Sequence, residues 1–112
     1  AHSEVSGRNL SNYLKKIKGI KYGIWGMTKN KNPHQFIKQF KGIFKKIITI
    51  PIQGETNSLS AKTLSKIAKT NKFKAESSKN IFEALKKIKK EKKRIVIIFG
   101  SLYLIANILN KS

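Results

Sequence analysis

The sequence predicts an α/β fold: a three-layer α/β/α domain with a mostly parallel, doubly wound sheet. Helical and strand-like segments alternate along the chain and are joined by short loops, which is typical of parallel sheets with right-handed crossovers. In addition, the run IVIIF at 95–99 places no polar residue between its apolar ones, as expected of a strand covered on both faces. We therefore expect helices on both sides of the sheet.

The helices are predicted from apolar side chains spaced three and four residues apart and from residues that begin or end helices. They are expected at residues 7–18, from a cap at Asn32 and an opening Pro33 to about Gly42, from a cap at Ser60 to about Thr70, from a cap at Ser77 or Ser78 through 79–92, and after Ser101. The side chains expected to face the core are Leu10, Tyr13, Leu14, Ile17, Phe36, Ile37, Phe40, Leu64, Ile67, Ala68, Ile81, Phe82, Leu85 and Ile88.

Four parallel strands are predicted near residues 20–26, 45–51, 72–76 and 94–99. Gly23 and Gly26 weaken the first, and two lysines in the third favour an edge position. Because the chain opens on a helix, we expect the sheet to lack its first strand. At 112 residues the chain is expected to form a single domain, 1–112, and the absence of an initiator Met suggests a fragment or trimmed segment.

The composition is strongly basic, with 25 Lys and Arg against 5 Asp and Glu and a formal net charge of +20. Such a charge attracts nucleic acid or anionic membranes. However, only Arg8 and Arg94 are arginines, and the lysines spread from Lys15 to Lys111, so a specific nucleic-acid site is not favoured. Abundant Lys, Asn and Ile also fit a bias toward A/T-rich codons.

The sequence gives little sign of disulfides, membrane insertion or secretion. It contains no Cys, so it predicts no disulfide framework and no thiolate metal site. It has no apolar run of the roughly 18 residues that a spanning helix needs, and its start does not resemble a signal peptide. We therefore expect a cytoplasmic protein that does not enter the membrane.

Candidate site residues follow the carboxyl ends of the predicted strands, where α/β sheets bind ligands. These places are the start of the chain, the loops 26–33 and 52–58, and the joint between Gly100 and Ser101. They offer His2, Lys31 and Ser101 as binding residues, with Gly100 as a supporting turn and Ser101 as the cap of the following helix. The corresponding structural interpretation is a solvated His and Lys and an ordinary helix cap.

The motifs of several enzyme classes are absent from the sequence. There is no GxxxxGK[ST] phosphate loop and no GxSxG nucleophile elbow. Glu55 is interpreted as a loop residue, and His34, in the first turn of a predicted helix, has no plausible metal partners nearby. The residues alone therefore predict a small domain that binds an anion and has no complete catalytic set and no metal site.

Several stretches resemble the C-terminal domain of bacterial folylpolyglutamate synthase/dihydrofolate synthase, in the Mur ligase superfamily. FGSLYLIANIL at 99–109 is similar to the family's FGSLYLVGEVL, and WGMTKNKNPHQFIKQF at 25–40 is similar to its GM loop. TIPIQGETNSLSA at 49–61 also resembles the family, and the opening AHS resembles the end of its DGAHN motif. The chain departs from the pattern where Ser3 replaces Asn and where the preceding Asp and Gly are absent.

The resemblance implies a Rossmann-like domain of an ATP-dependent ligase that adds glutamate to folate through an acyl phosphate. ATP and Mg²⁺ would be held mainly by an N-terminal domain, in the same or a separate chain, and the present chain would close over nucleotide and glutamate. By resemblance, His2 would face the phosphates or glutamate, Lys31 would lie in the GM loop, and Ser101 would help to hold glutamate. We expect this fragment to be inactive alone and to bind no cofactor by itself.

Two other functions stay open at this stage. One is a stand-alone basic module for nucleic acid or an anionic surface, which rests on charge alone and predicts a steep loss of affinity with salt. The other is a scaffold that restores a ligase by pairing with a separately encoded ATP-binding domain. The sequence does not distinguish a trimmed segment from a split-gene product or a decayed remnant.

Overall fold

The computed structural model describes residues 3–29, 32–52, 54, 56–88 and 94–100 of the chain. Within these residues, helices and strands alternate in the predicted order. The elements are α1 (Ser3–Lys15), β1 (Ile20–Gly26), α2 (Pro33–Lys38), β2 (Lys46–Thr49), α3 (Ala61–Thr70), β3 (Ala75–Ser77), α4 (Ile81–Lys86) and β4 (Arg94–Gly100). The predicted last helix, after Ser101, lies outside the described residues.

The four strands form one parallel sheet in the order β3-β2-β1-β4, which confirms the predicted fold class. β1 and β4 pair along their whole lengths, from Ile20 opposite Arg94 to Gly26 opposite Gly100. β3 lies at an edge, as its lysine-rich surroundings predicted. The two central strands are β1 and β2, whereas the continuous apolar run at 95–99 belongs to β4, at the other edge of the sheet among the described residues.

Helices cover both faces of the sheet. One face, here called the aromatic face, carries Trp25 and Phe99 and packs against α1, α2 and α3. The other, here called the α4 face, carries Tyr22, Ile24 and Ile48 and packs against Ala84 and Ile88 at α4. This alternation follows from the two-residue period of a strand, which sends Ile24 and Trp25 to opposite faces.

The predicted helix caps are correct at two helices and wrong at a third. The side chains of Asn32 and Ser60 accept hydrogen bonds from the N–H groups of Gln35 and Thr63, so they begin α2 and α3 as expected. At α4, however, Asn80 rather than Ser77 or Ser78 accepts from the Glu83 N–H at 2.9 Å. The reason is that β3 extends through Ser77, and the Ser78 N–H continues toward β2 by bonding to the Thr49 carbonyl.

Several boundaries also differ from expectation. α2 ends at Lys38 because the chain tightens into successive turns before Gly42, whose φ is +80°. β3 begins at Ala75 rather than at residue 72, because Lys72 adopts a φ of +68° in the turn that follows α3. No helix of the described residues is both long and apolar enough to cross a membrane.

The predicted inward stripes are largely correct on α2 and α3 and partly wrong on α1 and α4. Phe36, Ile37, Phe40, Leu64 and Ala68 are buried, as expected. In contrast, Tyr13 on α1 is 63% exposed, and Phe82 and Leu85 on α4 are 60% and 37% exposed. The helix α4 instead turns Ile81, Ala84 and the following Ile88 toward the sheet, which is the i, i+3, i+7 row of the same helix.

Candidate ligand-binding rim

The carboxyl ends of the four parallel strands lie along one rim of the sheet, which is where α/β folds place their ligands. Of the residues that the sequence singles out there, Gly100 belongs to the described part of the chain and ends β4. His2, Lys31 and Ser101 lie outside the described residues, and so does Glu55. Their meeting on one rim stays a prediction.

Gly100 has the geometry of a position that only glycine can occupy. Its φ is +125°, and a Cβ built on it would collide with the carbonyl oxygen of Gly26 and lie 2.9 Å from that residue's carbonyl carbon. The two glycines are opposite each other in the β1–β4 ladder. The last residues of β1 and β4 therefore approach each other with no side chain between them.

The loops that follow β1 and β2 are joined to each other on the same rim. Thr28 and Ser58 form an antiparallel bridge, the Lys29 N–H donates to the Asn57 carbonyl at 2.7 Å, and the Leu59 N–H donates to the Met27 carbonyl at 2.9 Å. These bonds hold the loop that leads to residue 31 against the loop before α3. The two predicted candidate loops are thus neighbours in space.

In the part of the chain that the structure describes, the side chain of His34 forms its hydrogen bond with the end of α3 and not with the candidate loops of the rim. It is exposed on α2, and its Nδ1 is 3.2 Å from the Asn71 side-chain nitrogen at the far end of α3. Among the described residues, no group of three or more His, Cys, Asp or Glu side chains is arranged to hold a metal ion.

A cleft of about 590 Å³ lies at the carboxyl end of β3, a place for which the sequence predicted no site. It is lined by Ser60, Ala61, Lys62, Ser77, Ser78, Lys79, Glu83 and Lys87. The same rule that selected the other strand ends would have selected this one. From the sequence, Ser77 and Ser78 are expected to cap the following helix, a task that the Asn80 side chain performs instead.

An ionic network lies beside this cleft. The Glu76 carboxylate is 3.1 Å from the Lys46 ammonium and 3.3 Å from the Lys87 ammonium. The hydrogen bond from Lys46, and then that from Lys87, lower the pKa of Glu76 against the opposing effect of partial burial. Lys87 also donates to the Ser77 carbonyl at 2.7 Å, so the network anchors the end of β3 to the residue after α4.

Solved structures of several folate ligases have this fold. A Mycobacterium tuberculosis folylpolyglutamate synthase complexed with ADP and AMPPCP matches 97% of the chain with a TM-score of 0.83 at 14% identity. E. coli FolC in complex with DHPP and ADP matches 99% with a TM-score of 0.82 at 16% identity. A Yersinia pestis bifunctional folylpolyglutamate synthase/dihydrofolate synthase complexed with AMPPNP and Mn matches 99% with a TM-score of 0.77 at 20% identity.

The chain spans only 28%, 27% and 27% of the lengths of these three proteins, respectively. A search of curated protein sequences finds no match. In contrast, the family described as dihydrofolate synthetase, C-terminal domain, matches residues 1–111, which is nearly the whole chain. With the four-stranded parallel sheet and the glycine pair at its rim, this match shows that the chain belongs to the family of dihydrofolate synthetase C-terminal domains.

Proposed function

We propose that this chain is the closing domain of an ATP-dependent folylpolyglutamate (dihydrofolate) synthase. The observation that carries the proposal is the family match over residues 1–111. The likeness to solved ligases that are complexed with ADP, AMPPCP or AMPPNP supports it, because those proteins use the same fold as part of a nucleotide-binding enzyme. The partner of the chain is an N-terminal ATP-binding domain, either in the same polypeptide or in a separate one.

The reaction in this proposal is amide-bond formation. The γ-phosphate of ATP is transferred to a folate carboxylate, which gives an acyl phosphate and ADP. The amine of glutamate then attacks the acyl carbon, and the amide forms as phosphate leaves and the nitrogen loses a proton. The sequence has no phosphate loop, and the described residues have no metal-binding cluster. The proposal therefore assigns ATP and Mg²⁺ mainly to the N-terminal domain.

The task of the present chain is to complete and cover the site. An acyl phosphate is hydrolysed by water, so a domain that closes over it protects the intermediate and brings glutamate to it. In the proposal, His2 faces the phosphates or glutamate, Lys31 approaches the nucleotide from the GM loop, and Ser101 holds glutamate. Gly100 supports this arrangement because it brings the backbone at the end of β4 close to the end of β1 without a side chain.

The test uses the chain assembled with an ATP-binding domain of the same family, fused or mixed. We expect Ser101→Ala to weaken glutamate use about 10- to 150-fold, the loss expected for one hydrogen bond to a charged group. The chain alone is expected to show no folate-dependent release of ADP.

Ser60→Ala is the matched control, since Ser60 is an observed helix cap. It should lower stability by about 1 kcal/mol and leave glutamate use unchanged. If Ser101→Ala behaves as Ser60→Ala does, Ser101 is only a helix cap and its proposed role is wrong. Folate-dependent ADP release by the isolated chain would contradict the division of tasks between the domains.

A further inference from the structure

We propose that the cleft at the carboxyl end of β3 is a binding site for a small phosphate-type oxyanion, on the same rim as the predicted glutamate and nucleotide residues but separate from them. Its volume of about 590 Å³ lies in the range of small-molecule sites. Three independent features point to an anion there: a buried hydroxyl with no partner in the described part of the chain, the amino end of α3, and an excess of lysines. None of them depends on the proposed ligase function.

Ser78 supplies the most specific of these features. It lines the cleft and is only 8% exposed, and its Oγ has no hydrogen-bond partner among the described residues. A buried hydroxyl that forms no hydrogen bond costs free energy, so it marks a place where a ligand atom completes the structure. Because the Oγ is enclosed in the structure, a rotation about the Cα–Cβ bond of Ser78 is needed to turn the hydroxyl toward the cleft, where an oxyanion accepts its hydrogen bond.

The amino end of α3 forms the facing side of the cleft. Ser60 caps this ten-residue helix by accepting from the Thr63 N–H at 3.1 Å, and Ala61 and Lys62 of the first turn line the cleft. N–H groups of a first helical turn have no intrahelical partner and carry partial positive charge. They are therefore suited to the oxygens of an anion.

Thr49 connects the two sides of the cleft rigidly. It is fully buried at the end of β2, and its hydroxyl donates to the Ala61 carbonyl at 2.6 Å. Its own carbonyl accepts from the Ser78 N–H at 2.8 Å. A single buried residue thus positions both the start of α3 and the residue after β3, so the site is preorganised before any ligand arrives.

The charge of the cleft selects an anion of one or two negative charges. Lys62, Lys79 and Lys87 line it against a single acid, Glu83, and Glu83 is 3.7 Å from Lys86 on the same helix. Lys87 is shared with Glu76, which leaves Lys62 and Lys79 as the cations best able to turn toward a ligand. Lysine suits this task because a mobile ammonium binds phosphate as a point charge.

The site is distinct from the predicted glutamate site because β3 and β4 are opposite edges of the sheet. Three strand spacings separate them, which is about 14 Å. Failure of one site in an experiment therefore does not imply failure of the other.

The test titrates the 112-residue chain with inorganic phosphate and, in a second arm, with glycerol 3-phosphate, at constant ionic strength set with chloride. Backbone amide NMR should show saturable shifts centred on Ala61, Lys62 and Ser78. Ser78→Ala should weaken binding at least about tenfold, as expected for a hydrogen bond to a charged group. Tighter binding of inorganic phosphate would identify free phosphate as the ligand, and tighter binding of glycerol 3-phosphate would identify a phosphate monoester.

Stability distinguishes this role from a structural one. Ser78→Ala should keep or raise the Tm without phosphate, since it removes an unsatisfied buried hydroxyl, and should abolish most of the Tm increase that phosphate produces. As a second variant, exposed Lys79→Gln should weaken binding about two- to fivefold. Lys41→Gln, which changes the net charge equally but lies in a different cleft with Lys38 and Lys72, should leave it unchanged.

Two results would overturn the proposal. In the first, the NMR shifts spread over all lysine-rich surfaces, and Lys79→Gln and Lys41→Gln weaken phosphate binding equally. This result would indicate attraction by net charge alone. The other is unchanged phosphate affinity in Ser78→Ala.

Discussion

The two faces of the sheet are packed with different kinds of side chain. On the aromatic face, Phe99 lies at the centre of a group of rings, with centroids 4.8 Å from Phe40, 4.9 Å from Phe44, 5.9 Å from Phe36 and 6.3 Å from Trp25. On the α4 face, most of the packing comes from isoleucines and Ala84, and a charged network begins at its β3 edge. One face therefore depends on a few large, stiff side chains, and the other on many small contacts.

Gly23 shows what the ring cluster requires. A Cβ at this position would lie 2.7 Å from Cε1 of Phe99 and 3.3 Å from the Phe44 ring. Glycine normally weakens a strand, and from the sequence alone Gly23 is expected to weaken β1 in this way. In the structure, the absence of a side chain at Gly23 leaves space on β1 for the ring of Phe99, which belongs to the adjacent strand β4. The aromatic face therefore needs side chains of specific shape, whereas we expect the α4 face to tolerate the replacement of one aliphatic side chain by another.

The largest effect is expected from removing the central ring. Phe99→Ala should lower the free energy of unfolding by about 3–5 kcal/mol, because a fully buried aromatic side chain leaves a cavity that stiff neighbouring rings fill poorly. Urea denaturation followed by tryptophan fluorescence measures this, since Trp25 stacks on Phe99. The control Phe82→Ala, at a ring that is 60% exposed, should cost less than about 1 kcal/mol. Similar losses of unfolding free energy in the two variants would show that the aromatic face does not depend on the Phe99 ring.

A smaller effect is expected from adding one methyl group beneath the ring. Gly23→Ala should cost about 1–3 kcal/mol through overpacking against Phe99. In a Phe99→Leu background the colliding ring atom is absent, so the same substitution should cost distinctly less. A double-mutant cycle measured by denaturation gives the coupling energy, which we expect to be about 1 kcal/mol or more. Additive losses would show that Gly23 is needed for a reason unrelated to Phe99.

The smallest effect is expected at the charged edge of the α4 face. Glu76→Gln removes the acceptor for Lys46 and Lys87, and because the Glu76 side chain is 42% exposed the loss should be at most about 1 kcal/mol. The lysines lower the folded-state pKa of Glu76, so this contribution is complete above the ordinary value of 4.5 and disappears as the pH falls through the lowered pKa.

Parallel denaturation of wild type and Glu76→Gln at neutral and acidic pH measures this difference. Glu83→Gln is the control, because the Glu83–Lys86 pair is longer, at 3.7 Å, and more exposed, so it should change little at either pH. A stability difference for Glu76→Gln that grows on acidification would have the wrong sign for a lowered pKa.

The candidate site was less predictable than the fold. The rule that ligands bind at strand carboxyl ends correctly indicated that the loops after β1 and β2 share a rim, and the structure joins them through Thr28 and Ser58. It did not lead to the cleft after β3, because a Ser before a helical pattern is most simply interpreted as a cap. Whether Asn80 or Ser78 takes that position depends on where β3 ends, and β3 is a short edge strand with a weak pattern.

The sequence by itself determined the alternation of elements, the parallel sheet and the caps at Asn32 and Ser60, because these depend on residue spacing and on hydrogen bonds between near neighbours. Only the tertiary structure decided the strand order β3-β2-β1-β4, the fit of the Phe99 ring over Gly23 and the burial of the Ser78 hydroxyl, which has no partner among the described residues. The physical reason is distance along the chain. The local pattern of apolar residues predicts whether a side chain is buried. The side chains that it contacts in the core, however, come from segments tens of residues away in the chain.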